Sequence, residues 1–267
     1  MLPRKLVTAC SPSLRRLFAL ADEGITCLEA YRSSMPKGDN ASPVIFDSLQ
    51  HLPDHAIGAE AVGFLVAGSD TTAFTLTSAV WHICHNPMIK RKLAAAIKEA
   101  IPEHREGEYP TLMQLESIPY LVACVKESLR IAIPVPGRLP RVVPGATAAP
   151  LVVDGKVVPP GSIVGMSAYS MHISEELWGP NARDFEPERW LGEGAKGLDE
   201  HLMAFSKGAR NCIGQPLAQA ELLLTLYMLF RYFDMELDAA SGKGFTTKDQ
   251  FVTIVQEPGV VLRMRRL

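Results

Sequence analysis

The stretch FSKGARNCIG, residues 205–214, places one cysteine, Cys212, between an arginine-bearing glycine turn and a second glycine. A helical pattern starts directly after it, with Pro216 in the first turn, where a missing backbone N–H is tolerated. Helix starts offer unpaired N–H groups and the positive end of the peptide dipoles. Both favour a thiolate over a thiol, and the thiolate is the form that attacks and that binds metals. Gly208 and Gly214 permit tight turns that aim amides at sulfur, and Arg210 adds a nearby cation. The plain alternative is a small buried hydrophobe, the commonest fate of a cysteine.

Three further patterns set polar groups where they cost something. In AGSDTT, residues 67–72, Asp70 and Thr71 put an acid and an alcohol side by side in a strongly apolar segment. A buried acid is expensive and therefore a functional hint, and a threonine inside a helix competes for a backbone carbonyl and disturbs it locally. In KESLR, Glu127 and Arg130 stand three apart on one helix face. Alone, such a pair reads as an exposed ion pair worth little. PVPGRLPR carries Arg138 and Arg141, whose planar guanidinium suits carboxylate partners. A lone His172, in SMHIS, reads more readily as structural than as catalytic.

The elements that position these residues follow from periodicity and punctuation. Residues 1–35 are expected to be helical, followed by the polar linker SSMPKGDNASP. A long helix runs from about residue 53 or 59 to His85, stopped by Asn86 and Pro87, and at 1.5 Å per residue it is roughly 40 Å long. An amphipathic helix over 88–101 shows Lys90, Arg91, Lys92 and Lys98 to water. TLMQ, at 111–114, has capping-box spacing, and another helix covers about 119–131. The texture then changes. LVVDGKVV predicts a hairpin about Asp154 and Gly155, SIVGMSAYSM reads as strand-like, and residues 172–205 are loop-rich, which marks a functional region. A strong helix follows Ile213, and FVTIVQ with GVVLRMRRL reads as a final hairpin.

Composition bounds the alternatives. The chain has 267 residues, 47% of them hydrophobic, and a net charge of −2, so nothing favours nucleic acid as a partner. Its five cysteines show no C-x-x-C spacing, which argues against a zinc knuckle and for free thiols in a reducing compartment. The basic N-terminus has no apolar segment behind it, so no signal peptide or anchor is read there, and the Asn40-Ala41-Ser42 glycosylation match is taken as chance. Residues 61–85 are long enough for a membrane span, but Asp70 and the surrounding Ser and Thr favour a buried core helix.

The spacing F-x-x-G-x-R-x-C-x-G, filled by Phe205, Gly208, Arg210, Cys212 and Gly214, resembles the haem-binding signature of the cytochrome P-450 family. AGSDTT, KESLR, PVPGRLPR and FEPERW match further motifs in the family's order, and the variants present look fungal. The resemblance implies a mainly α fold with small β-hairpins (α+β), truncated at the N-terminus, with an N-terminal segment over 1–58 and a haem-binding part over 59–267. It implies haem b held by Cys212 as the axial thiolate, with Phe205 and Gly214 beside it and Arg138 and Arg210 on the propionates. Asp70 and Thr71 become the acid–alcohol pair directing protons to dioxygen, with Gly68 leaving room at the distal haem face. Glu127, Arg130 and Arg189 become a buried structural triad, with His172 as its neighbour. The implied reaction is insertion of one oxygen atom into a lipophilic substrate, in secondary metabolism, with electrons from an NADPH-dependent reductase. The family implies the endoplasmic reticulum membrane. Residues 62–66, 131–135 and 251–253 become the substrate wall. At about half the family's length, the chain by itself is expected to be a poor monooxygenase; a haem-binding module without coupled turnover and a small membrane-spanning protein are the alternatives.

Overall fold

The computed structural model describes residues 12–34, 44–102, 108–145 and 150–267. The Asn40 match, Cys10 and most of the linker lie outside the described residues. Two compact units divide the chain, residues 1–69 and 70–267.

In the first unit, helix α1 (Pro12–Ser34) is accompanied by a 3-10 turn (Ile45–Leu49) and the first half of helix α2 (Asp54–His85). Leu28 and Ile57 are buried. Gly58 is required by close approach, since a Cβ there would sit 2.9 Å from Ile25 Cγ1. Phe46 bridges Tyr31 and Phe64, with ring centroids at 6.5 and 6.1 Å. Arg32 pairs with Asp54 at 2.9 Å.

The second unit is built on the rest of α2 with α3 (Pro87–Ala100), α4 (Leu112–Glu116), α5 (Pro119–Ala132) and, further on, α8 (Gln215–Tyr232). Asn86 caps α3, its side chain accepting from Met88 N and Ile89 N, with Pro87 at the first helical position. Ile89, Leu93 and Ile97 then recur every four residues and face the core. The Thr111–Gln114 capping box forms as its spacing predicts. α5 is buried almost all round, including Glu127 and Arg130. Leu222, Leu226, Tyr227 and Phe230 of α8 close the same apolar cluster.

Short antiparallel pairs complete the unit. β1 (Arg141–Val142) pairs with β4 (Ile163–Val164); β2 (Leu151–Val153) pairs with β3 (Lys156–Val158). Asp154 and Gly155 both take positive φ, as a primed two-residue hairpin turn demands. The strand-like reading of SIVGMSAYSM holds only for β4. Ser167 ends it: its hydroxyl donates to Pro136 O at 2.6 Å and accepts from Ser170 N, so it caps helix α6 (Ala168–His172), with α7 (Glu175–Trp178) next. The expected C-terminal hairpin is also corrected. β7 (Val252–Val255) turns back at Phe251 onto β6 (Thr247–Gln250), and β8 (Leu262–Arg266) crosses to β5 (Phe233–Leu237). β5 continues directly from α8, Met235 of β5 is buried in the core, and β8 pairs with β5 along its length.

α2 is not buried along its whole length. Phe74, Ala79, Val80 and Ile83 are in the core, and Trp81 donates to Ser241 O at 2.8 Å and stacks on Phe245. Leu65 and Val66 are exposed at 44% and 41%. Among the described residues, no helix is long and apolar enough to cross a membrane.

Candidate functional site

Cys212 ends a loop that the backbone ties into a closed turn. Its N–H donates to Phe205 O at 2.9 Å, and Asn211 N–H donates to Gly208 O at 3.0 Å. Ser206 and Gly208 adopt positive φ, 59° and 69°. At Gly208 the glycine is therefore a conformational requirement. Gly214 differs from the expectation: its φ is −80°, open to any residue, and it caps α8 while a Cβ there would stand 3.7 Å from Cys212 Sγ. The thiol of Cys212 is free and exposed, so the reading as a small buried hydrophobe does not hold. That reading does describe Cys124, which is fully buried.

Arg138 and Arg210, far apart in sequence, line one cavity of about 840 Å³, together with Arg141. Its remaining wall is largely apolar and includes Met171, Met203 and Val164. The volume suits a cofactor-sized ligand, and three guanidinium groups at one cavity suit a ligand carrying carboxylates. An adjoining cavity of about 610 Å³, sharing Gly137, Arg138 and Ser167 with the first, is lined also by Ile131, Ala132, Ile133 and Thr253. Thr253 holds that region together, donating from N to Pro134 O and from Oγ1 to Ile133 O.

A buried charged network with its hydrogen bonds filled is centred on Glu127. Glu127, fully buried, accepts from Arg130 Nε and Nη2, Arg189 Nε, Glu186 N and Trp190 Nε1, at 2.7–2.9 Å. Arg130 sends its remaining donors to the carbonyls of His172, Ala182 and Asp184. Arg189 reaches Trp178 O and Asn181 O at 3.0 Å. The exposed ion pair that KESLR alone suggested is thus a buried one. Sequence reasoning missed both tryptophans: Trp190 donates to Glu127, and Trp178 lies under the Arg130 guanidinium, 5.1 Å from its ring centroid. The signal for Trp190 was its place beside Arg189 in one turn (Pro187–Trp190). His172 is buried, and burial pushes its imidazole down to about 4, so it is neutral.

Asp70 is exposed and Thr71 half-buried, and neither lines the cavity that Arg138 and Arg210 share. The anticipated local disturbance is absent: α2 runs unbroken from Asp54 to His85. Its hydroxyls fold back on the helix instead, Thr75 Oγ1 donating to Thr71 O and Thr77 Oγ1 to Ala73 O. A Cβ at Gly68 would meet nothing within 4 Å.

Comparison with known proteins gives a consistent result. The family model described as Cytochrome P450 matches residues 37–263. The chain is 37% identical over 196 residues to the inactive cytochrome P450 monooxygenase cloA of Claviceps fusiformis, covering 73% of this chain and 37% of that protein. It is 33% identical to cytochrome P450 monooxygenase aneF of Aspergillus aculeatus, covering 89% and 49%, and 32% identical to cytochrome P450 monooxygenase penB of Penicillium thymicola, covering 97% and 60%. The chain therefore spans between about a third and three fifths of the length of these curated relatives.

Proposed function

The chain belongs to the cytochrome P450 family, of the fungal type, and from that membership we propose that it is the haem-binding part, residues 59–267, of a monooxygenase that inserts one atom of dioxygen into a lipophilic substrate. The observation that carries the reading is the exposed thiol of Cys212, whose backbone N–H is held by the Phe205 carbonyl at the end of a closed turn, in the same unit as a cavity lined by Arg138 and Arg210. The donor set fits haem b: one thiolate for iron, and guanidinium groups for the two propionates. Haem, when bound, supplies the oxygen chemistry itself.

The chain's own residues bind and position. Cys212 holds iron through sulfur, with Phe205 and Gly214 flanking it. Arg138 and Arg210 orient the group by its carboxylates. Asp70 and Thr71 hold and pass a proton at the Thr71 hydroxyl. Glu127, Arg130 and Arg189 keep the cysteine loop's base rigid. Residues 131–135 and 251–253 are the substrate wall of the second unit. Electrons come from an NADPH-dependent reductase, and the site of action is the endoplasmic reticulum membrane.

A second reading, a haem-binding module without coupled turnover, is favoured by one fact: a relative with 37% identity is named inactive. The test has two stages. The purified protein is loaded with haem, reduced and given carbon monoxide; a thiolate-type difference spectrum is expected, and a folded, haem-saturated sample without it refutes the assignment. Product per electron, measured with a reductase, then separates coupled oxygenation from the module.

A further inference from the structure

His172 occupies a junction that the readings above leave without a role. Its carbonyl accepts from Arg130 Nη1 at 2.8 Å, which anchors its backbone to the Glu127 network. Its ring Nε2 lies 2.8 Å from Met203 N, and a backbone amide can only donate, so Nε2 is the acceptor. Met203 begins the approach to the cysteine loop: Met203 O accepts from Ser206 N at 3.0 Å, and Phe205 O accepts from Cys212 N at 2.9 Å. The ring stands edge-on to Trp178, centroids 6.3 Å apart at 88°, and Trp178 in turn lies under Arg130. With Nε2 accepting, the proton of the neutral ring is on Nδ1, which is buried and has no hydrogen-bond partner among the described residues. Leaving a buried donor unmatched is costly. The ring is thus held in the one tautomer that serves Met203, at the expense of its other nitrogen.

We infer that His172 is a positioning residue for Cys212, its Nε2 pinning the Met203 amide and so carrying the rigidity of the Glu127–Arg130–Arg189 network into the cysteine loop. Its consequence for the metal rests on the haem reading; the mechanical link does not. His172→Phe keeps the ring's shape and its edge contact with Trp178 while removing both nitrogens. It removes the orphaned Nδ1 and leaves the Met203 amide without its acceptor, so the two effects oppose one another and global stability is expected to change little. His172→Gln places an amide oxygen close to where Nε2 stands.

The experiment measures amide hydrogen exchange in the purified protein and the thiolate-type carbon monoxide spectrum in the haem-loaded protein. In His172→Phe, exchange at Met203 and Cys212 is expected to rise at least about tenfold while Leu93 and Leu226 are unchanged, and the thiolate-type fraction is expected to fall. His172→Gln should restore both. If His172→Phe matches the wild type in exchange and spectrum, the link is wrong and the haem reading stands. If exchange responds as expected but even the wild type shows no thiolate-type spectrum, the haem reading fails and the link stands. Should His172→Phe not accumulate folded, nitrogen-15 shifts of the wild-type imidazole decide: a proton on Nδ1 supports the link, and a proton on Nε2 overturns it.

Discussion

Cys212 and the two more buried thiols differ in what their surroundings allow. Burial pushes Cys84 up to about 11 and drives Cys124 higher still, so both stay protonated at neutral pH. Neither can serve as a thiolate, whereas Cys212 is exposed beside a helix start. Replacing Cys212 by Ser or His is therefore expected to abolish the thiolate-type carbon monoxide spectrum, while Cys84→Ala and Cys124→Ala keep it; a spectrum that survives Cys212→Ser moves the ligand elsewhere. Thr71 makes a second residue-scale prediction. Its carbonyl is already shared with Thr75 Oγ1, so loss of the Thr71 hydroxyl leaves the helix intact. On the proposed proton role, Thr71→Ala should retain haem but lower product per electron and raise hydrogen peroxide when supplied with a reductase and substrate. Unchanged coupling would refute that role.

At the scale of elements, Glu127 joins α5 to the Pro187–Trp190 turn, because one carboxylate gathers donors from Arg130, Arg189, Glu186 and Trp190. Every one of those partners is a donor. Glu127→Gln turns one acceptor oxygen into another donor and leaves two buried guanidinium groups short of counter-charge, a loss of roughly 3–5 kcal/mol. The expected outcome is a lower denaturation midpoint, a lower folded yield and less bound haem. A Glu127→Gln protein with wild-type stability and haem content but no turnover would mean the carboxylate takes part in the chemistry. Surface pairs such as Lys196–Glu193, both highly exposed, should show no comparable effect when removed.

At the scale of the whole molecule, acid sensitivity follows from one buried histidine, His172, and one partly buried, His82. Burial holds both His82 and His172 down to about 4, against an ordinary value of 6.5. His82 stacks on Phe185 with centroids 4.9 Å apart, with Glu127, His85 and Arg130 as its charged surroundings. In the unfolded chain each imidazole binds a proton near 6.5, and in the folded chain only near 4. The folded state thus holds its full advantage above about pH 7 and loses it as pH falls from 6.5 toward 4, by on the order of 3 kcal/mol per histidine. Urea unfolding at pH 7.5 and pH 5 should show this loss, and His82→Phe should remove about half of it. A stability unchanged across that interval would show that these rings titrate in the folded protein as they do in the unfolded chain.

Sequence by itself determined the order of the long helices, the break at Asn86 and Pro87, the Thr111 capping box, the Asp154 and Gly155 turn and the family, because each depends on neighbours a few residues apart. The cysteine motif was readable for the same reason: its turn and the helix start are local. Tertiary structure alone decided the rest. By spacing alone Glu127 and Arg130 read as an exposed pair; the resemblance implied the buried triad with Arg189, but only the fold showed Glu186 and Trp190, about sixty positions away, brought onto the same carboxylate. TKDQ, exposed throughout β6, carries no apolar alternation, so its pairing with β7 left no trace in composition. The partner of β8 is likewise β5, whose Met235 is buried in the core, a pairing that no local pattern encodes. His172 looks the same in sequence whether it is a filler or a strut. Only the placement of Met203 N against Nε2, and of Arg130 against its carbonyl, distinguishes them, because a hydrogen bond depends on positions in space that thirty to forty intervening residues must fold to create.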